Sequence, residues 1–144
     1  MVSCGFTPLY NNYNRDDIFK EIEIQTPSNK IGFFITEALT SKAQYGKSGS
    51  FIIQFHPSVT SSFSAITKEN EITRYSVTMK VDYELIEKKS RKIYFKGKET
   101  ATSDYSAALT YTGFATEVAR KDTYKRLAET IAEKINTQII IKFR

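Results

Sequence analysis

Between Tyr75 and Leu85 the chain alternates apolar and polar residues without a break. Tyr75, Val77, Met79, Val81, Tyr83 and Leu85 fall on one side, and Ser76, Thr78, Lys80, Asp82 and Glu84 on the other. A period of two puts every apolar side chain on one face of an extended strand. Slipping by one residue would turn all of them to water, so the stretch demands a half-buried antiparallel strand with one wet face. Whatever else the chain forms must cover the dry face.

The flanking segments supply that cover. Phe6 to Arg15, with Pro8, three asparagines and two tyrosines, reads as an extended lead-in. Ile18 to Gln25 reads as a strand, with Ile22 and Ile24 opposite Glu21 and Glu23. Pro27 ends it, and Ser28 is placed to cap a helix carrying Ile31, Phe34, Ile35, Ala38, Leu39 and Tyr45, with Gly46 as its stop. After a turn at Lys47 to Ser50, Phe51, Ile53 and Phe55 alternate with Ile52, Gln54 and His56. Pro57 is expected to close that strand, and Ser58 to Asn70 to form a polar connection.

Beyond the central strand, Lys88-Lys89-Ser90-Arg91 marks a hairpin tip, and the chain returns through Ile93, Phe95 and Gly97 in a strand that fades near Ser103. Phe114, Val118, Leu127, Ile131, Ile135 and Ile139 are then read as one helical stripe, flanked by Ala115, Ala119 and Ala128. Glu117, Arg120, Lys121, Lys125, Arg126, Glu129 and Glu133 take the opposite face. Ile139 to Phe143 fits either a continued helix or a short strand.

The order is therefore β-α-β-β-β-α. A sheet with one wet face and helices with single apolar stripes is satisfied by a two-layer α+β sandwich, in which two helices pack on one face of a four-stranded, mostly antiparallel or mixed sheet. The chain of 144 residues is long enough to bury one core, and residues 16–144 read as a single domain behind a lead-in at 1–15. No apolar run reaches the roughly 18 to 20 residues that span a bilayer as a helix.

Catalytic chemistry finds few carriers. His56 is the single histidine, beside Pro57 on a strand, and no sequence neighbour orients it as a base. One histidine and one cysteine cannot build the usual nitrogen and sulfur metal sites, so no metal and no cofactor is expected. Asp16-Asp17 and the Glu69/Glu71 pair read as solvated carboxylates. No glycine-rich loop opens a helix to hold phosphate. The chain reads as a protein that is not an enzyme.

Charge is more informative. The net charge of +5 draws anions, and from Lys80 to Lys98 seven Lys/Arg face Asp82, Glu84 and Glu87. The excess gathers at the hairpin tip in Lys88, Lys89, Arg91 and Lys92. Such a cluster could keep an edge soluble, or donate charge-assisted hydrogen bonds to phosphate.

The only cysteine, Cys4, follows Met1-Val2-Ser3 and precedes Gly5. Small residues before a cysteine and glycine after it are similar to the cleavage box of bacterial lipoproteins. The chain is thus read as starting near a processed terminus, with Cys4 the acylated residue.

Three stretches together resemble the lipopolysaccharide-assembly lipoprotein family, LptE, also called RlpB. Cys4-Gly5-Phe6-Thr7-Pro8-Leu9-Tyr10 resembles the mature start of these proteins. Thr73-Arg74-Tyr75 and Tyr83-Glu84-Leu85 are similar to their central strand. Ser103-Asp104-Tyr105-Ser106, Gly113-Phe114-Ala115-Thr116 and Arg126-Leu127-Ala128 with Ile131 resemble the last strand and C-terminal helix. Arg120-Lys121-Asp122-Thr123-Tyr124 departs from the pattern, with a bulky tyrosine where a small residue is expected.

The resemblance implies two helices on a four-stranded sheet, as the periodicity does independently. It also implies an outer-membrane lipoprotein on the periplasmic side, attached to the membrane through lipid on Cys4. Its partners would be lipopolysaccharide and an LptD-like transport β-barrel, which it would plug and help assemble. Lys88, Lys89, Arg91 and Lys92 become the candidate lipopolysaccharide-binding residues. Two alternatives stand beside this reading: a generic lipid-anchored periplasmic adaptor, and a basic RNA-binding α+β module. Against RNA, Tyr75 and Tyr83 belong to the apolar face that helices should cover, so no nucleic-acid partner is expected.

Overall fold

The computed structural model describes residues 18–66, 72–106 and 113–143. Cys4, the lead-in from Phe6 to Arg15, Asp16-Asp17 and Glu69/Glu71 lie outside the described residues, as do the side chains of Phe114 and Ala115. The elements are β1 (Ile22–Gln25), α1 (Lys30–Lys42), β2 (Phe51–Ile66), β3 (Ile72–Glu87), β4 (Ile93–Ser106) and α2 (Gly113–Lys142). They form a four-stranded sheet in the order β1-β2-β3-β4, with β1 parallel to β2 and the other pairs antiparallel. The α+β order expected from the sequence is the one observed.

The alternation in β3 appears directly as burial. Val77, Met79, Val81, Tyr83 and Leu85 are buried, while Lys80 and Asp82 are exposed. Ile22, Ile53 and Phe55 extend the dry face, and Phe34, Ile35, Ala38, Leu39, Leu127, Ile131, Ile135 and Ile139 complete one core from the helices. On the open face the strands present Gln54, His56, Ser58 and Thr60 beside Glu84, Asp82, Lys80 and Thr78.

Several boundaries depart from expectation, each for a local reason. Residues 18–20 form a helical turn, closed by the Glu21 N–H on the Ile18 carbonyl at 3.0 Å, so β1 starts only at Ile22. The N-cap of α1 is Asn29 and not Ser28: its Oδ1 accepts from the Gly32 N–H at 2.7 Å. The helix stops at Lys42, before Tyr45. Gly46 is needed for another purpose than a helix stop. Its N–H donates to the Phe19 and Ile22 carbonyls, and a Cβ there would fall 1.9 Å from the Lys20 carbonyl oxygen.

Pro57 does not end its strand. β2 continues to Ile66, occupying much of the stretch expected to be a polar connection. The Phe51 N–H donates to the Glu21 carbonyl, so odd-numbered β2 residues turn their backbone groups toward the β1 side. β1 pairs only as far as Gln54, which leaves the missing Pro57 N–H on an edge where the ladder does not need it. β4 likewise runs past Ser103 to Ser106, paired with β3 from Phe95 onward without a break.

The C-terminal ambiguity resolves as helix: α2 continues through Lys142. Val118, however, is 52% exposed and does not belong to the apolar stripe. Nine residues at about 100° each separate it from Leu127 by half a turn. The buried stripe instead passes through Thr123, Leu127, Ala128, Ile131, Ala132, Ile135, Asn136 and Ile139.

Candidate functional site

The β3–β4 turn is built to hold its cations in place. The Glu87 N–H donates to the Lys92 carbonyl and the Arg91 N–H to the Glu87 carbonyl, both at 2.9 Å. Ser90 Oγ donates to Glu87 Oε1 at 2.6 Å and accepts from the Lys92 N–H at 3.3 Å. Arg91 takes a φ of 62°, the left-handed conformation that a non-glycine residue adopts only when its surroundings enforce it. The Lys88 N–H also donates to the Ser50 carbonyl at 2.9 Å, tying the turn to the loop before β2.

The four basic residues of this turn are not equivalent. Lys88 is half-buried, and its ammonium sits 2.9 Å from Glu23 Oε2 on β1, so its charge is already engaged. Lys89, Arg91 and Lys92 are exposed, and none has a carboxylate partner among the described residues. The structure thus brings all four to one end and leaves three of them available for an anion.

Sequence periodicity missed what stands beside them. Ile86 pairs with Ile93 and Leu85 with Phe95, so Tyr94 is the extra residue of a β-bulge. The bulge turns Tyr94 onto Phe143, stacked at 5.0 Å between ring centroids, and edge-on to Phe51 at 5.4 Å. Ile93, Tyr94 and Ile141 are each about half exposed, at 49%, 50% and 47%. Lys142 lies 6.0 Å from the centre of the Phe95 ring. The end of the sheet is therefore amphiphilic: a cationic turn beside an aromatic shelf of Tyr94, Phe143 and Phe51, with Ile93, in register with Ile86, on the opposite, open face. The sequence signal was present in Tyr94-Phe95 and Phe143, but it needed both the bulge and the long helix to bring them together.

The remaining polar features are structural. His56 is exposed on the open face, in register with Asp82, which pairs with Lys98 at 3.6 Å. Burial raises the Tyr45 phenol well above its ordinary range, with a smaller contribution from Tyr83, and its hydroxyl donates to Asn136 Oδ1. Burial raises the Tyr83 phenol too, reinforced by the charge of Glu99, whose Oε2 accepts from the hydroxyl at 3.4 Å. Both rings stay neutral at ordinary pH and fill the core. No group of three or more potential metal ligands occurs among the described residues. No described helix is long and apolar enough to cross a membrane. Tyr83 and Tyr105 are buried under the helices, and among the described open-face positions of β2, β3 and β4 the one aromatic ring is the imidazole of His56.

Comparison with known proteins places this geometry. A family model for lipopolysaccharide assembly, LptE, matches residues 19–139. An uncharacterized protein of Rickettsia prowazekii (strain Madrid E), RP188, is 27% identical over 142 residues, covering 98% of this chain and 89% of its own. Among solved structures, a chain described as a lipoprotein from Caulobacter crescentus CB15 superposes with a TM-score of 0.73 at 19% identity, covering 90% of this chain and 95% of that one. Rare lipoprotein B from Shewanella oneidensis gives 0.61 at 12% identity, covering 83% and 91%. These two likenesses establish the shared fold.

Proposed function

The chain belongs to the lipopolysaccharide-assembly family LptE, and from that premise we propose that it plugs and helps assemble an LptD-like outer-membrane β-barrel and binds lipopolysaccharide with its β3–β4 turn. In this reading Cys4 carries the lipid that anchors the protein on the periplasmic side of the outer membrane. The protein performs no chemical step. Its work is binding and positioning.

The observation that carries the reading is the rigid cationic turn beside an apolar shelf. Lys89, Arg91 and Lys92 are free to meet lipid A phosphates, with Lys88 behind them on Glu23. A guanidinium or ammonium donating to phosphate contributes roughly 1.5 to 3 kcal/mol when partly desolvated. The plug role has separate support. The interior of a large barrel is wet and polar, and the open face offers rows of small hydroxyl and charged side chains, with Thr78 and Thr102 hydrogen bonded across it at 3.0 Å.

Purified protein should bind lipopolysaccharide directly and co-isolate with the barrel from detergent-solubilised outer membranes. Binding of any polyanion with equal affinity would reduce the turn to a generic basic patch. The anchor has its own test. Three acyl chains at roughly 0.8 kcal/mol per buried methylene are enough for stable attachment to the membrane. Cys4→Ala in the full-length precursor should therefore release soluble periplasmic protein, and an unmodified thiol in membrane-extracted wild type would remove the anchor from the account.

A further inference from the structure

The two edges of the sheet are defended differently. On the β2 edge, beyond the end of β1, Pro57 removes a donor. On the β4 edge no described position is proline, and no described strand pairs with it. The direction of its backbone groups follows from the ladder. Odd-numbered β2 residues face β1, and opposed residues of an antiparallel pair alternate between mutually bonded and unbonded. Through the registers His56↔Asp82 and Val81↔Glu99, this alternation makes the even-numbered residues of β4 point N–H and C=O away from the sheet. One side-chain contact agrees: the Lys134 ammonium donates to the Thr100 carbonyl at 2.8 Å.

Alongside this edge runs α2, and a cleft separates them. Thr100 and Thr102 line it from the strand, and Arg126, Leu127, Thr130 and Lys134 from the helix. Its lining carries two cations and no carboxylate. Arg126 Nε lies 3.3 Å from Asp122 Oδ2, an exposed pair that water screens, and Lys134 has no carboxylate partner among the described residues.

We infer that this cleft is a docking site for an extended, acidic polypeptide segment of a partner protein, which adds to β4 as a fifth strand. Only an extended chain presents donors and acceptors at the spacing of the Lys98, Thr100 and Thr102 backbone groups. Alternate side chains of such a strand point to the helix side, where acidic ones meet Arg126 and Lys134. Lys134 then exchanges the Thr100 carbonyl for a carboxylate, and the carbonyl accepts from the incoming strand. The site lies away from the β3–β4 turn and uses none of its cations.

The probe is a peptide of about eight residues, an ordinary strand length, alternating valine and glutamate. Bound to the full-length protein, it should slow hydrogen exchange at the Lys98, Thr100 and Thr102 amides. Thr102→Pro removes an outward donor and leaves the β3 ladder intact, so the variant should keep its melting temperature and lose the peptide. If that variant does not fold, a probe N-methylated at alternate residues serves instead, and it should not bind wild type. Arg126→Gln with Lys134→Gln should weaken the glutamate peptide roughly tenfold, and the lysine counterpart should bind wild type no better than that. Absence of binding to wild type, binding that survives Thr102→Pro or N-methylation, equal affinity for the lysine peptide, or dimerisation of the protein through this edge in place of peptide capture would each overturn the inference.

Discussion

The packed middle of the sheet and its hairpin end are made from the same strands but differ in what their residues accomplish. In the middle, Val77, Met79 and Val81 are fully buried beneath the helices, and their side chains can do nothing except hold the fold together. At the end, Lys89, Arg91 and Lys92 are exposed, and the backbone and side-chain hydrogen bonds of the turn hold them. Packing is concentrated in the middle of the strands, and exposed charge is gathered at their end. The turn is rigid because Glu87, Ser90 and Ser50 accept and donate around it, so its cations are placed without being buried.

That separation can be attacked from the core first. Leu127→Ala and Val81→Ala each remove a fully packed group from the helix–sheet interface and should each cost on the order of 2 to 4 kcal/mol. Denaturant titration checks this. Unaltered midpoints in both would mean the helix does not cover the sheet as described.

Tyr45→Phe should cost less, about 1 to 3 kcal/mol at neutral pH, because it strips the hydrogen bond from the buried Asn136 Oδ1. The pH dependence has a definite sign. The folded phenol titrates above its ordinary value of 10.0, chiefly because burial disfavours the phenolate. The contribution of Tyr45 to wild-type stability should therefore be fully present below pH 10 and fall as the pH rises beyond it, since the unfolded phenol ionises first. The gap between wild type and variant should narrow in that range. A gap that widens above pH 10 would contradict the assigned burial of the ring.

Lys121→Ala, on the exposed side of α2, should change stability by no more than about 0.5 kcal/mol. Calorimetry that placed it level with Leu127→Ala would reverse the facing of the helix.

What the sequence disclosed follows the same division. The alternation of β3, the helix carrying Ile31 to Leu39 and the stripe from Leu127 to Ile139 were legible because local period reports burial directly. The continuation of β2 past Pro57 was not, because a proline's meaning depends on whether its N–H faces a neighbour, and β1 stops three residues short of Pro57's partner position. Val118 was misplaced by treating widely spaced residues as one stripe without counting the rotation between them. The cluster Lys88, Lys89, Arg91 and Lys92 was visible as charge. That Lys88 is engaged by Glu23 was not, since the pair is 65 positions apart and meets only through the β1–β2 and β2–β3 pairings. The apolar shelf stayed hidden until the bulge at Tyr94 and the last turn of α2 came together.

The proposed recognition of lipopolysaccharide by the turn rests on exposed cations that take no part in the core. Arg91→Ala combined with Lys92→Ala tests it most directly, with lipopolysaccharide binding and thermal unfolding measured on the same preparation at low and moderate salt. The account predicts an unfolding midpoint like that of wild type and affinity lowered at least roughly tenfold at both salts, since two charge-assisted hydrogen bonds are lost. Binding of an unrelated polyanion should fall much less. Undiminished lipopolysaccharide affinity at both salts, with the fold intact, would contradict the claim and leave the cluster as a solvated hairpin end.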